Sequence, residues 1–173
     1  FALILSGFQP LSPQSFTIVS QHFDKEFSGE KIKMYITYPE VRDLNDKVIY
    51  NLNYKIYELF LNSYNTFSAQ VGKRLGGNSE GYSEFWLNYE TCHKENGVIS
   101  LLFTAQKKYY GESGVEIIYS SINYDVENGS FLSDADVFIS QSELVLRNGS
   151  NCQAVGNLAK SEGYCITSDG LLF

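Results

Sequence analysis

Hydrophobic and polar residues alternate with a period of two along most of this chain, and in one long stretch the period lengthens to that of a helix. Between Lys31 and Tyr38, Ile32, Met34, Ile36 and Tyr38 alternate with Lys33, Tyr35 and Thr37, the pattern of a strand with one buried face. Phe16 to His22 reads as a strand before it, Phe27-Ser-Gly-Glu30 as the intervening turn, and Pro39 as the stop. From Asn45 to Val71, Ile49, Leu52, Ile56, Leu59, Phe60, Ser63 and Phe67 fall at three- and four-residue steps, which predicts one long helix with a single apolar stripe. Gly72, Gly76 and Gly77 are its expected terminators, and Arg74 to Gly81 reads as a loop.

Alternation resumes at Ser83 to His93, where Phe85, Leu87 and Tyr89 share one face and Trp86, Asn88 and Glu90 the other. Glu95-Asn-Gly97 is a hairpin signal, because Asn and Gly both tolerate positive φ. The chain then returns through Val98 to Lys107. A break at Gly111-Glu-Ser-Gly114 precedes a third run, Val115 to Tyr124, which closes on Asn128-Gly129. The expected unit is a meander of three antiparallel strands. Ser133 followed by acids reads as the N-cap of a short helix through Phe138. Gly163 to Thr167 reads as a short strand, with Ser168-Asp-Gly170 turning into Leu171-Leu-Phe173. The predicted fold class is therefore α+β: an antiparallel sheet packed against one long helix, as a single domain over residues 16–173.

Composition narrows the function classes. A net charge of −7 provides no general basic field for phosphate backbones, so nucleic acid is not an expected partner. No apolar run approaches the ~20 residues that span a bilayer, so no transmembrane segment is expected. The opening Phe1-Ala-Leu-Ile-Leu-Ser-Gly-Phe8 is apolar but lacks a charged leading region and an Ala-x-Ala site, and reads as a first strand or ordered arm in preference to a signal-peptide remnant. Of the three cysteines, Cys152 and Cys165 flank a short loop and are a candidate disulfide in an exported protein; Cys92 is left over. The Asn-Gly-Ser sequons at Asn128 and Asn148 read as turns.

Several motifs together resemble one family. These are the strand ending in Tyr38-Pro39, the long helix over Asn51 to Phe67, the strand carrying Ile122-Asn-Tyr-Asp125 with its turn Glu127-Asn-Gly-Ser130, the segment Leu132-Ser-Asp-Ala-Asp-Val-Phe138, and Tyr164 to Phe173 with its Asp-Gly turn. The pattern resembles the bacterial DUF3298/DUF4163 domains found in the extracytoplasmic part of RsiV-like anti-sigma factors and beside the deacetylase domain of PdaC-like proteins. The resemblance covers roughly Phe16 to Phe173. There are two departures: Tyr110-Gly-Glu-Ser-Gly114 stands where many members carry a Gly-Gly-Ala-His-like turn, and the chain ends before the strand that normally follows the Asp-Gly turn. The resemblance implies an extracytoplasmic module, in the periplasm, cell envelope or secreted, that recognises a lysozyme-like protein or a peptidoglycan glycan without transforming it.

Candidate chemistry follows two lines. A recognition surface is expected around Tyr82, Trp86, Tyr109, Tyr110, Glu112, Glu116 and Tyr119, since aromatic rings near strand ends stack on sugars or anchor protein interfaces at low entropic cost. The alternative is an enzyme acting on cell-wall glycan through paired carboxylates, with Glu112 and Asp134 foremost and Glu116 and Asp136 beside them. For Asp134 and Asp136 a helix N-terminus is an equally good account, and for Glu112 and Glu116 so is plain solvation. A third reading is a secreted interaction protein with no glycan role. His22 and His93 lie on separate strands without ligand spacing, so neither a metal nor any other cofactor is expected.

Overall fold

The computed structural model describes residues 16–74, 81–94, 97–132, 144–148, 151–155, 165–167 and 170–172. Two strands open the fold, β1 (Thr17–Phe27) and β2 (Ile32–Arg42), joined by a tight turn in which Lys31 takes a left-handed φ of 55°. The helix α1 (Tyr50–Arg74) follows. Then come β3 (Ser83–His93), β4 (Val98–Lys108), β5 (Glu116–Asp125) and the two-residue β6 (Ser130–Phe131). The six strands form one sheet in chain order. All neighbours are antiparallel except β2 and β3, which run parallel from Ile32↔Ser83 to Ile36↔Leu87 because α1 carries the chain back across the sheet. The α+β sheet-on-helix architecture and the β3–β4–β5 meander are thus as the alternation predicts.

Three elements differ in extent from expectation: β1 continues past His22 to Phe27, and β2 and α1 differ as well. β2 does not stop at Pro39 but runs on to Arg42, with Pro39 opposite Ser20. Its pairing with β3 ends at Ile36, so at Pro39 the strand has a single neighbour, an edge-like position where a proline is tolerated. The helix covers Tyr50–Arg74, not Asn45 to Val71. The Asp43 carboxylate accepts the Asn45 N–H at 2.8 Å and the Lys47 N–H at 2.9 Å, and Asp46 sits at φ 61°, so the chain turns there, and Val48 then bridges back to Arg42 before the helix begins. These bonds hold the Asp43 carboxyl below the usual range, the Lys47 N–H contributing most. Asn53 then locks the helix to β2: its Oδ1 accepts the Val41 N–H at 2.9 Å, and its Nδ2 donates to the Val41 and Ile49 carbonyls at 2.8 Å each.

One face of the sheet carries the core. Ile32, Met34 and Ile36 of β2, Phe85 and Leu87 of β3, Ile99, Leu101 and Phe103 of β4, and Ile122 and Tyr124 of β5 are buried on the side that α1 covers with Leu52, Ile56, Phe67 and Val71. Phe67 lies 5.5 Å from Phe85 and 5.3 Å from Tyr109, ring centre to ring centre, so the C-terminal half of the helix is seated across β3 and β4. Side chains of this kind contribute roughly 1.5–3 kcal/mol each when fully buried, which is why the sheet has a defined inner face.

The tail adds two small antiparallel pairs: β7 (Leu144–Asn148) with β8 (Asn151–Val155), and β9 (Cys165–Thr167) with β10 (Gly170–Leu172). The short strand expected at Gly163 to Thr167 corresponds to β9, and the strand after the Asp-Gly turn finds its partner there. The β7–β8 hairpin around the Asn148 turn was not anticipated. β9 lies against β3, β4 and β5. The short helix expected from Ser133 to Phe138 lies outside the described residues, as do the side chains of Cys152 and Cys165. Cys92 is a free thiol.

Candidate functional site

The sheet face turned away from α1 is polar and aromatic. Strand register lines up Asp24, Tyr35, Trp86, Gln106 and Ile117 in one row across five strands. Tyr35 and Trp86 stack with ring centres 5.8 Å apart and planes 15° from parallel, the usual gain of a cross-strand aromatic pair. Ile117 and Tyr119 on β5 are 49% and 55% exposed, and Tyr119 stands opposite Thr104, which in turn faces Asn88. The neighbouring row alternates in charge: Glu26, Lys33, Glu84, Lys108. Lys33 lies 3.6 Å from Glu26 and Lys108 3.8 Å from Glu84. Tyr82 closes this end of the face, with the ammonium groups of Lys33 and Lys31 4.7 and 5.3 Å from its ring centre. A hydrogen bond from Tyr82, with Lys33 adding to it, holds the Glu26 carboxyl below the ordinary range. The other end of the face is closed over: Ser100 and Asn123, paired across β4 and β5, are buried there with Ser100 Oγ 2.5 Å from Asn123 Oδ1.

A second cluster forms where α1 ends above β4 and the β4–β5 loop. The odd-numbered residues of β4 point at the helix, so the run Ile99, Leu101, Phe103, Ala105 continues into Lys107 and Tyr109, both buried. Lys107 Nζ lies 3.5 Å from Glu116 Oε1. The Tyr109 hydroxyl donates toward Gln70 Oε1, with Glu116 Oε2 3.3 Å away. Arg74 lies over the Tyr109 ring at 3.8 Å and pairs with Glu112. Burial pushes the Tyr109 hydroxyl up to about 12, the Glu116 charge adding to the effect and Arg74 opposing it. Such a group is a neutral hydrogen-bonding strut across the physiological range. Gly111, at φ 81°, lets the loop turn back over this cluster.

The residues proposed from sequence therefore divide by sheet face. Tyr82, Trp86 and Tyr119 share the open face. Tyr109, Glu112 and Glu116 belong to the helix-end cluster, and Tyr109 is only 4% exposed, so it serves as packing and not as a contact surface. Tyr110 is exposed beside it; its N–H donates to Ser83 Oγ at 3.0 Å, and its ring leaves no room for a Cβ on Gly81. Glu112 and Glu116, named for glycan chemistry, are each engaged by a cation, while Asp134 and Asp136 lie outside the described residues. Sequence reasoning missed Tyr35, Gln106, Gln70, Arg74 and Lys107. Lys107 carries a legible signal, a charge at the apolar parity of an otherwise inward-facing run. For metals, no group of three or more His, Cys, Asp or Glu comes together among the described residues.

No protein-family model and no curated protein matches the chain. Among solved structures it is similar to a DUF3298 family protein from Pseudomonas aeruginosa PAO1, at 14% identity, covering 76% of this chain and 61% of that one with a TM-score of 0.49. It is also similar to a member of the DUF3298 family from Bacteroides fragilis NCTC 9343, at 10% identity, covering 75% and 63% with a TM-score of 0.40. Both neighbours carry the DUF3298 name. The chain spans less than two thirds of either neighbour's length. Among the described residues no helix is long and apolar enough to cross a membrane.

Proposed function

We propose that this chain is a non-catalytic extracytoplasmic recognition module that lays a peptidoglycan-type glycan along the open face of its sheet. The observation that carries this reading is the cross-strand row Tyr35, Trp86, Gln106 and Ile117, with Tyr119 and Asn88 beside it. Aromatic rings offer apolar surface to the C–H faces of sugars, and Gln, Asn and Thr side chains offer both donors and acceptors to ring hydroxyls. Trp86 is the single tryptophan, so its fluorescence reports directly on this face. Titration with N-acetylglucosamine oligomers or soluble peptidoglycan fragments is expected to shift that emission saturably, and Tyr119→Ala or Gln106→Ala to weaken the binding. No shift with either ligand overturns the assignment. The net charge of −7 favours a second reading, a strongly basic lysozyme-like protein partner steered by charge. Its signature is binding to lysozyme that falls steeply between low and high salt.

A further inference from the structure

A groove of about 450 Å³ opens between α1 and the edge of the sheet formed by β1 and β2, away from both clusters described above. Phe23 and Phe27 of β1, Met34 and Ile36 of β2, and Ile56 and Phe60 of α1 line it. Along the second half of β1, Phe23 stands opposite Ile36, Lys25 opposite Met34 and Phe27 opposite Ile32, so these three residues share the face on which β2 meets the helix. Ring contacts fix the walls: Phe27 to Tyr64 at 6.0 Å, Tyr64 to Phe60 at 6.3 Å and Phe60 to Tyr57 at 6.1 Å. The volume is that of a small-molecule site, usually about 300–1,000 Å³ and mostly apolar. From Asn53 to Tyr64 the lining runs roughly 16 Å along α1 at ~1.5 Å per residue, which suits one extended hydrocarbon chain.

The polar groups around the groove decide what such a chain carries at its end. Glu40 is neutralised by Arg42, 2.6 Å away, and the Asn53 amide is bonded to Val41 and Ile49. The Tyr64 hydroxyl donates to Glu30 at 3.4 Å. Asp24 and Glu26 lie at the opposite parity of β1, with Glu26 paired to Lys33. Lys25 is the charged residue that β1 places on the groove side. It is exposed, its ammonium lies 4.8 Å from the Phe27 ring centre, and it pairs with no carboxylate among the described residues. A lysine stem laid along apolar surface with its charge left in water offers a counter-charge at the lip of the groove. We infer that the groove binds a fatty-acid anion, its chain held between α1 and the β1–β2 edge and its carboxylate at Lys25.

The test is calorimetric titration of the full chain with dodecanoate below its micelle concentration, with dodecyltrimethylammonium and butyrate as comparison ligands. The expected result is one saturable site for dodecanoate, weaker binding of the cation and none of butyrate. A preference for the anion runs against the net charge of −7 and so reports the local charge at Lys25. Lys25→Gln should weaken dodecanoate about two- to fivefold, the range of an exposed ion pair, and Lys25→Glu should turn the preference toward the cation. Phe23→Asp, at an exposed position, should abolish binding, with far-ultraviolet dichroism showing that each variant is folded. No saturable binding of dodecanoate overturns the inference, as does equal affinity in the parent chain and in Lys25→Glu. Trp86 lies on the other face of the sheet, so its emission should not move as dodecanoate binds; a shift assigns the amphiphile to the open face and also overturns the inference. Glycan or lysozyme binding at the open face requires neither Lys25 nor Phe23, so this inference and the functional reading fail separately.

Discussion

The buried ion pair of Lys107 and Glu116 responds differently according to which partner is removed. The Lys107 side chain is 2% exposed and that of Glu116 is 42% exposed, with 3.5 Å between the charged atoms. At an effective dielectric near 20, attraction across that distance is about 5 kcal/mol, and the cost of burying the ammonium is of the same order. The net worth of the pair is therefore small. Lys107→Met keeps the stem packed beside Phe85, its cross-strand neighbour, and leaves Glu116 free to hydrate. That change should alter stability by less than about 1 kcal/mol in either direction. Glu116→Gln leaves the ammonium buried without its counter-charge. Strandings of this kind cost about 3–5 kcal/mol when both groups are dry, and the exposure of Glu116 reduces the figure to about 2–3 kcal/mol here. The double variant should recover most of that loss, since no buried charge remains. Urea unfolding monitored by far-ultraviolet dichroism gives all four free energies of the cycle. If Lys107→Met costs as much as Glu116→Gln, the pair is a net stabiliser and the desolvation argument is refuted.

Two further outcomes test the scaffold. Tyr109 has a raised folded-state value of about 12 against an ordinary 10, so the unfolded chain loses this proton first. The stabilisation is whole below pH 10 and is lost as pH rises from there toward 12; unfolding measured across that window should fall less steeply with pH in Tyr109→Phe than in the parent chain. Asn53→Ala strips the Val41 N–H of its acceptor, and Val41 is fully buried, so a loss of about 2–3 kcal/mol is expected, seen as a melting temperature lowered by roughly 5–10 °C; a drop under 2 °C shows that the link between β2 and α1 is dispensable.

Period alone determined much of this fold. Alternation at Ile32 to Ile36 and at Ser83 to Tyr89 named both the strands and their buried faces, because side chains on a pleated strand have no choice but to alternate; past Ile36 the parity fails, with Tyr38 exposed and Val41 buried, and for Val98 to Lys107 only the strand was legible. The stripe through Leu52, Ile56 and Phe67 named the helix for the same reason at a period of 3.6. Ends were less legible: the Asp43 turn displaced the helix start, and contacts of Arg74 with Tyr109 and Glu112 accompany the extension of the helix past Gly72. The aromatic residues were visible as a class, but their division into two sites was not. Trp86 on β3 and Tyr109, the residue after β4, fall on opposite faces of the sheet, and only strand register, fixed by pairing between distant segments, decides that one stacks on Tyr35 at the partly exposed face while the other is buried under Arg74. The parallel β2–β3 pairing and the groove beside β1 are likewise tertiary facts: they depend on where α1 comes to rest across the sheet, a quantity that sequence spacing does not encode.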